Sequence, residues 1–210
     1  MKRLLPALLA MLMILVLVGC GGKDSGQSGG GKSGDSSNKS GDNIGSGGGD
    51  VYAEDGYGEG RLGDTMHTYF FNFTINSAYT CGEFAGYTPA AGNQLLVVDA
   101  TVKNTVTSSV EMYDTDFQAQ WQGESDEDFR FPITTDPESY EELDPLTDDQ
   151  LPGTYDLGVN AERTGLLVYE VPAGLKDFSI SYLEAFEDGD EGDVFFVFFT
   201  AESDGSAASA

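Results

Sequence analysis

Four acidic side chains share one glycine-rich segment near the end of the chain. They are Asp188, Asp190, Glu191 and Asp193. Carboxylate oxygens on a flexible turn are the ligands that Ca²⁺ prefers, so these four are the candidate metal ligands. The spacing departs from an EF-hand loop, because Gly192 occupies the fifth position, where that loop needs an oxygen ligand. We favour the alternative, a β-hairpin turn whose glycines supply positive φ and whose acids face water.

Catalytic chemistry has few candidates in this chain. Apart from Cys20 near the N-terminus, it contains one cysteine, Cys81, and one histidine, His67. No thiol-protease pattern surrounds Cys81, so a half-buried residue at a strand end explains it better than a nucleophile. Carboxylate pairs could act as in a glycosidase, but among 36 acidic residues such pairs arise by chance. We predict a non-enzymatic protein with no catalytic residues and no resident cofactor.

The chain is strongly acidic, with a formal net charge of −26 at pH 7. Nucleic acid and anionic lipid headgroups would be repelled, so we exclude nucleic acid as a partner. The ordinary explanation of the charge is solubility, and the alternative is recognition of a cationic partner or a divalent metal ion. Asp114, Asp116 and the acids of 124–128 could add metal ligands only if the fold brings them together.

The N-terminus has the layout of an export signal. Two basic residues, Lys2 and Arg3, precede an uncharged apolar run over residues 4–18. As a helix this run would extend about 22 Å, which is too short for the roughly 30 Å of bilayer hydrocarbon. We therefore predict that residues 1–19 are a cleaved signal peptide, and the alternative is an uncleaved signal anchor.

The segment Leu17-Val18-Gly19-Cys20 resembles the lipobox of bacterial lipoproteins. That resemblance implies that Cys20 receives a diacylglyceryl group and becomes the N-terminus of the processed protein. Two acyl chains hold a protein on a membrane where a single chain is marginal. The resemblance therefore implies a lipid-anchored protein at the extracytoplasmic face of the bacterial plasma membrane.

Composition divides the rest of the chain into three parts. Residues 20–61 are rich in Gly, Ser and Asp, and we predict a disordered tether that begins at the lipidated Cys20. Residues 62–202 have the size of one globular domain. Residues 203–210 are small and polar, and we predict a disordered tail.

The globular part shows alternation of period two and no sustained helical period, which predicts an all-β fold. The predicted strands cover residues 67–76, 95–104, 117–121, 129–131, 164–171, 178–182 and 194–200. In the first of them Tyr69 is expected on the same face as Phe71. Trp121 is expected to point inward as a core residue, and 194–200 to be buried on both faces. About seven strands with frequent turns favour an immunoglobulin-like β-sandwich.

Three segments carry a family resemblance. They are LLVVDATVKNT (95–105), YDTDFQAQW (113–121) and GLLVYEVP (165–172). Together they resemble the telokin-like, immunoglobulin-fold domain of unknown function that follows bacterial lipoprotein signals and is similar in fold to immunoprotective antigens. The resemblance implies the fold, the lipoprotein context and a role at the cell surface. It carries over no catalytic or binding residue.

One connection, residues 134–152, is unusually long and acidic. Long connections in compact domains are commonly functional or mobile, so we predict that it contacts an envelope protein or glycan partner. The resulting hypothesis is a cell-envelope lipoprotein with a non-enzymatic binding domain. The alternative is a calcium-binding structural or adhesive surface module built on the acidic turn.

Overall fold

The computed structural model describes residues 48–123, 129–186 and 188–203. Within them the regular secondary structure consists of β-strands and one short 3-10 helix at Asp114–Asp116. The strands are β1 (Asp50–Tyr52), β2 (Tyr57–Arg61), β3 (Thr65–His67), β4 (Phe71–Cys81), β5 (Asn93–Asn104), β6 (Val110–Tyr113), β7 (Gln118–Gln120), β8 (Phe129–Arg130), β9 (Thr154–Leu157), β10 (Glu162–Pro172), β11 (Asp177–Ala185), β12 (Glu191–Thr200) and β13 (Glu202–Ser203). The prediction of an all-β sandwich is confirmed, although the described residues hold thirteen strands where about seven were expected.

The strands form two large sheets and one small one. The first sheet has the order β1-β3-β4-β5-β10, with β13 also paired to β4. The second has the order β2-β12-β11-β7-β8, and β6 pairs with β9 alone. Aromatic rings from the two large sheets meet between them, as in the contact of Phe71 with Tyr182 at 4.9 Å between ring centroids. The core of the sandwich therefore lies between the first and the second sheet.

Strands β5 and β10 pair antiparallel at one side of the first sheet, where β10 is the last strand, and both were predicted from alternation. Their inward residues, such as Val98 and Leu167, are fully buried in the main core. Their outward residues Val97 and Val168 are also buried, in a second, smaller cluster that contains Cys81. Cys81 is 1% exposed, so the structure places it as a packing residue of this cluster.

The N-terminal boundary of the domain differs from the prediction. Residues 50–61 were expected to be disordered tether, but they form β1 and β2, and β2 pairs in parallel with β12. A Cβ on Gly58 would lie 2.5 Å from Cδ1 of Phe195, and one on Gly60 would lie 2.7 Å from Sδ of Met66. These glycines permit close packing against the core. The prediction was wrong here because it took the glycine-rich composition of this segment as a sign of disorder. Ser203 likewise belongs to β13, whereas 204–210 lie outside the described residues.

The predicted strand 67–76 is two strands. β3 ends at His67, the chain reverses, and β4 returns antiparallel with Met66 opposite Phe73. The Thr68 hydroxyl donates a hydrogen bond of 2.6 Å to the carbonyl oxygen of Phe71 across this reversal. Tyr69 lies in the turn and is 65% exposed, so its expected place on the buried face of the strand is wrong.

Strand β12 differs from the prediction in its burial. Its inward residues Phe195, Val197 and Phe199 are buried, but the outward Phe196 and Phe198 are only half-buried. The expectation that residues 194–200 are buried on both faces is therefore wrong. A row of apolar side chains on the outward face of this sheet requires an explanation.

The first testable consequence concerns Gly58. Gly58→Ala would place a methyl group against the buried ring of Phe195, so we expect a loss of about 1–3 kcal/mol in the free energy of unfolding. Urea denaturation measures this loss. Gly158→Ala is the matched control, because its Cβ would meet only Ala161 at 3.9 Å, and we expect a change within about 0.5 kcal/mol. Equal stability of the Gly58 variant and the control would show that residues 50–61 are not packed as described.

Candidate functional site

The acidic turn joins β11 to β12. The amide of Phe186 donates to the carbonyl of Asp190 at 2.9 Å, and Gly189 has a φ of 89°. The Asp188 carboxylate accepts the backbone N–H of Asp190 at 3.2 Å. These contacts are those of the hairpin turn that we favoured over a calcium loop.

Metal binding gains no support from the geometry of this turn. Nowhere in residues 48–123, 129–186 and 188–203 are three His, Cys, Asp or Glu side chains grouped so that they could hold a metal ion. No such group includes Asp188, Asp190, Glu191 or Asp193, and none includes Asp114 or Asp116. The acids of 124–128, which could have added ligands, lie outside the described residues.

His67 and Cys81 have separate surroundings. The imidazole Nε2 of His67 lies 2.7 Å from the Asp50 carboxylate, and its ring stacks on Tyr52 with centroids 4.3 Å apart. Cys81 is buried with Leu95 in the second cluster. The structure therefore does not bring this thiol and this imidazole to one site.

The long acidic connection covers the edge of β10. The Leu166 amide donates to the carbonyl of Asp149 at 2.8 Å, and the Leu151 amide donates to that of Leu166 at 2.9 Å. Ile133, directly before the connection, donates its amide to the carbonyl of Val168 at 2.8 Å. The Leu151 side chain is 1% exposed and belongs to the main core. Unpaired sheet edges invite association with other chains, and this connection closes one such edge.

A buried carboxylate anchors the connection to the 3-10 helix. Asp114 is 2% exposed and accepts hydrogen bonds from the hydroxyls of Thr134 and Thr135, the latter at 3.3 Å. Burial raises the pKa of Asp114 to about 7, because the hydrogen bonds from the threonines only partly offset the cost of desolvating its charge. The nearby Glu142 carboxylate raises that pKa further by repulsion.

A groove lies on the outward face of the second sheet, and we call it the outer groove. It is an open depression of about 710 Å³. The lining residues are Glu59, Arg61, Gln120, Trp121, Gln122, Asp177, Phe178, Ser179, Phe196, Phe198, Phe199 and Thr200. They come from β2, β12, β11 and β7, and from the residues that follow β7.

Small side chains on β11 create the depression. Ser179 lies in register between Phe198 of β12 and Gln120 of β7, and Ser181 lies between Phe196 and Gln118. Both serines are at most 5% exposed although they are on the outward face of the sheet. The longer side chains on both sides therefore form walls, and Ser179 lies on the floor between them.

One wall of the outer groove is aromatic and carries a charged pair. The rings of Phe196 and Phe198 are nearly parallel, with centroids 5.8 Å apart and an interplanar angle of 18°. The Arg61 guanidinium lies over the Phe198 ring at 5.4 Å and pairs with Glu59 at 2.9 Å between Nη2 and Oε1. Tyr57 packs against the Phe196 ring at 5.6 Å.

The opposite wall contains Trp121, the only tryptophan of the chain. It follows the last residue of β7, is half-buried, and packs partly against the core. Its indole also lines the outer groove, and the Arg130 guanidinium lies over it at 5.2 Å. The expectation of a purely inward core residue is therefore incomplete.

Sequence reasoning missed the outer groove because it predicted the burial of each strand separately. The available signal was the contrast between outward serines in β11 and outward phenylalanines in β12. Register between the strands decides whether those residues are neighbours, and a single sequence does not supply the register.

Comparison with known proteins identifies no function for this chain. No family model and no curated protein matches the chain. Among solved structures it is similar to YcdA of Bacillus subtilis, provisionally classed as a lipoprotein, with 18% identity, a TM-score of 0.48 and coverage of 65% of this chain and 38% of YcdA. The chain thus spans well under half the length of YcdA.

Two other structures are similar over most of their own length. One is the YjhA protein of Bacillus subtilis, with 15% identity, a TM-score of 0.45 and coverage of 66% of this chain and 99% of YjhA. The other is an uncharacterized β-sandwich protein of Clostridium difficile 630, with 12% identity, a TM-score of 0.40 and coverage of 68% and 93%. At these identities no residue role carries over to this chain.

The pKa of Asp114 leads to a prediction about stability and pH. Between about pH 4 and pH 7 the unfolded chain ionises this carboxyl while the folded chain keeps it protonated, so its contribution to stability falls as the pH rises. The full loss would be on the order of 4 kcal/mol, since each unit of pKa difference corresponds to about 1.4 kcal/mol. Asp114→Asn stays uncharged and should remove this part of the pH dependence.

Urea denaturation at pH 4, 5.5, 7 and 8 compares the variant with the wild type. We expect the Asp114→Asn chain to gain stability relative to wild type as the pH rises through this window. Asp156→Asn, an exposed acid on β9, is the control and should keep the wild-type slope. Parallel curves for wild type and Asp114→Asn would contradict the raised pKa.

Proposed function

We propose that this chain is a lipid-anchored cell-envelope protein whose β-sandwich binds an extracellular ligand in the outer groove. The observation that carries the proposal is the half-buried aromatic row of Phe196 and Phe198, opposite Trp121, on the outward face of a sheet. Aromatic side chains that remain partly exposed on the face of a sheet lower the solubility of a protein, and clusters of them mark binding sites. The proposed activity is binding without catalysis.

The proposed location of the protein is supported by its sequence. The export-signal layout of residues 1–19 and the lipobox-like segment that ends in Cys20 support a lipid anchor. Both lie outside the described residues. Among those that the structure describes, no helix is long and apolar enough to cross a membrane. The telokin-like, immunoglobulin-fold resemblance of the domain supports the same envelope setting.

The long connection is a second candidate for contact with a partner protein. Three apolar or aromatic side chains on it, those of Tyr140, Leu143 and Leu146, are at least 40% exposed. Deleting the whole connection would not test this role cleanly, because Leu151 is part of the core. The substitutions Tyr140→Ser and Leu143→Ser leave the contacts with β10 intact, and loss of a partner in these variants alone would favour this second role.

Lipidation predicts a specific labelling result. In cells given an alkyne analogue of palmitate, we expect the wild-type chain to be labelled and membrane-bound. Cys20→Ala should lose the label, because the diacylglyceryl group has no thiol to join. Cys81→Ala is the control and should keep the label. Retention of label in the Cys20 variant would contradict the anchor.

Ligand binding predicts an effect of groove substitutions. The lipid-free chain from residue 21 onward is mixed with envelope material isolated from the host bacterium, and the fraction of the chain that sediments with this material is measured. We expect the wild type to co-sediment and the double variant Phe196→Ala/Phe198→Ala to weaken binding about tenfold or more, as loss of buried aromatic anchors does at other interfaces. Tyr69→Ala removes an exposed aromatic outside the outer groove and should bind as wild type.

Thermal unfolding of the double variant verifies that it remains folded. If it unfolds cooperatively near the wild-type temperature and still binds the envelope material as wild type does, the outer groove is not the binding site. If the wild type does not co-sediment, the binding function itself is contradicted.

A further inference from the structure

We infer that the ligand of the outer groove is an uncharged glycan chain. The inference rests on the proposed binding function and specifies the chemistry of its ligand. It depends on three properties of the outer groove: its mixture of apolar and polar side chains, its local charge, and the orientation of the sheet.

The lining of the outer groove combines aromatic rings with amide side chains that both donate and accept hydrogen bonds. Phe198 on one wall and Trp121 on the other supply apolar surface, and Gln120 and Gln122 supply amides that donate and accept at once. A sugar ring has the matching construction, with C–H groups on its faces and hydroxyls that donate and accept on its edges. An aromatic ring packs against such a face, and amides bond the hydroxyls.

The charges of the outer groove favour a neutral ligand. Glu59 and Arg61 neutralise each other at 2.9 Å, and the Asp177 carboxylate accepts the Thr200 hydroxyl at 2.6 Å. A cation would have to compete with these bonds. An anionic chain would meet the repulsion of a protein whose net charge is −26.

The polar groups of the outer groove disfavour a purely apolar occupant such as an acyl chain. An acyl chain would cover the Ser179 hydroxyl and the amides of Gln120 and Gln122 without offering them a hydrogen bond, which is costly. A ligand rich in hydroxyls can satisfy them.

The orientation of the sheet disfavours a peptide strand or a second copy of the chain. The backbone groups of β11 bond to β12 and β7, so the face of the sheet offers only side chains to a ligand. Extended peptides join sheet edges, where backbone groups are available. A second copy would bring another net charge of −26 against the first, which opposes close contact.

Selective destruction of envelope components tests the glycan assignment. One portion of the envelope material is oxidised with periodate, which cleaves the vicinal diols of sugars, and another is digested with a protease. We expect the affinity of the wild-type chain for the envelope material to fall about tenfold or more after periodate treatment and to stay unchanged after protease treatment. The reverse pattern would replace the glycan by a protein partner, while the outer groove itself would still stand if its double variant fails to bind.

The fluorescence of Trp121 provides a second, direct test, because no other tryptophan contributes to the signal. The probes are neutral gluco- and manno-oligosaccharides, with anionic galacturonate oligomers for comparison. We expect the fluorescence to change saturably with a neutral probe. The affinity for that probe should be about tenfold weaker in Phe198→Ala and unchanged in Tyr69→Ala. Saturation by the galacturonate oligomers alone, or by no sugar, would overturn the assignment.

Discussion

The packing of aromatic rings between the two large sheets is the interaction on which the rest of the structure depends. Phe73 contacts the rings of Phe117, Tyr182 and Phe195, so strands from both sheets meet at one side chain. The Tyr169 hydroxyl donates to the Phe117 carbonyl at 3.0 Å and satisfies the one polar atom that this ring brings into the core. With the inner faces fixed in this way, alternation determines which residues face outward.

The two large sheets differ in what covers the apolar residues of their outward faces. In the first sheet the segment around Ile133 joins a cluster with Val97 and Val168, so the outward apolar residues are covered by the chain itself. In the second sheet Phe196 and Phe198 line an open groove. The same sequence feature, an apolar residue on the outward face of a strand, thus has a structural explanation in one sheet and points to a ligand in the other.

The parts of the fold that could be predicted are those determined by local alternation. β5, β10 and β11 follow from their own residues, because each must bury one apolar face. β1 and β2 could not be predicted, since Gly58 and Gly60 resemble a flexible linker until the buried ring of Phe195 and the thioether of Met66 are seen beside them. The outer groove could not be predicted for a related reason, because it depends on the register of three strands.

The parallel pairing of β2 with β12 has a consequence for how the molecule is made. β2 is synthesised before β3 to β11, and its partner, Glu191–Thr200, is synthesised after them. During synthesis or passage through a membrane β2 remains without its neighbour until all of these strands have emerged. The second sheet therefore depends on a contact between distant parts of the sequence, and such contacts form slowly and leave a strand edge open in the meantime.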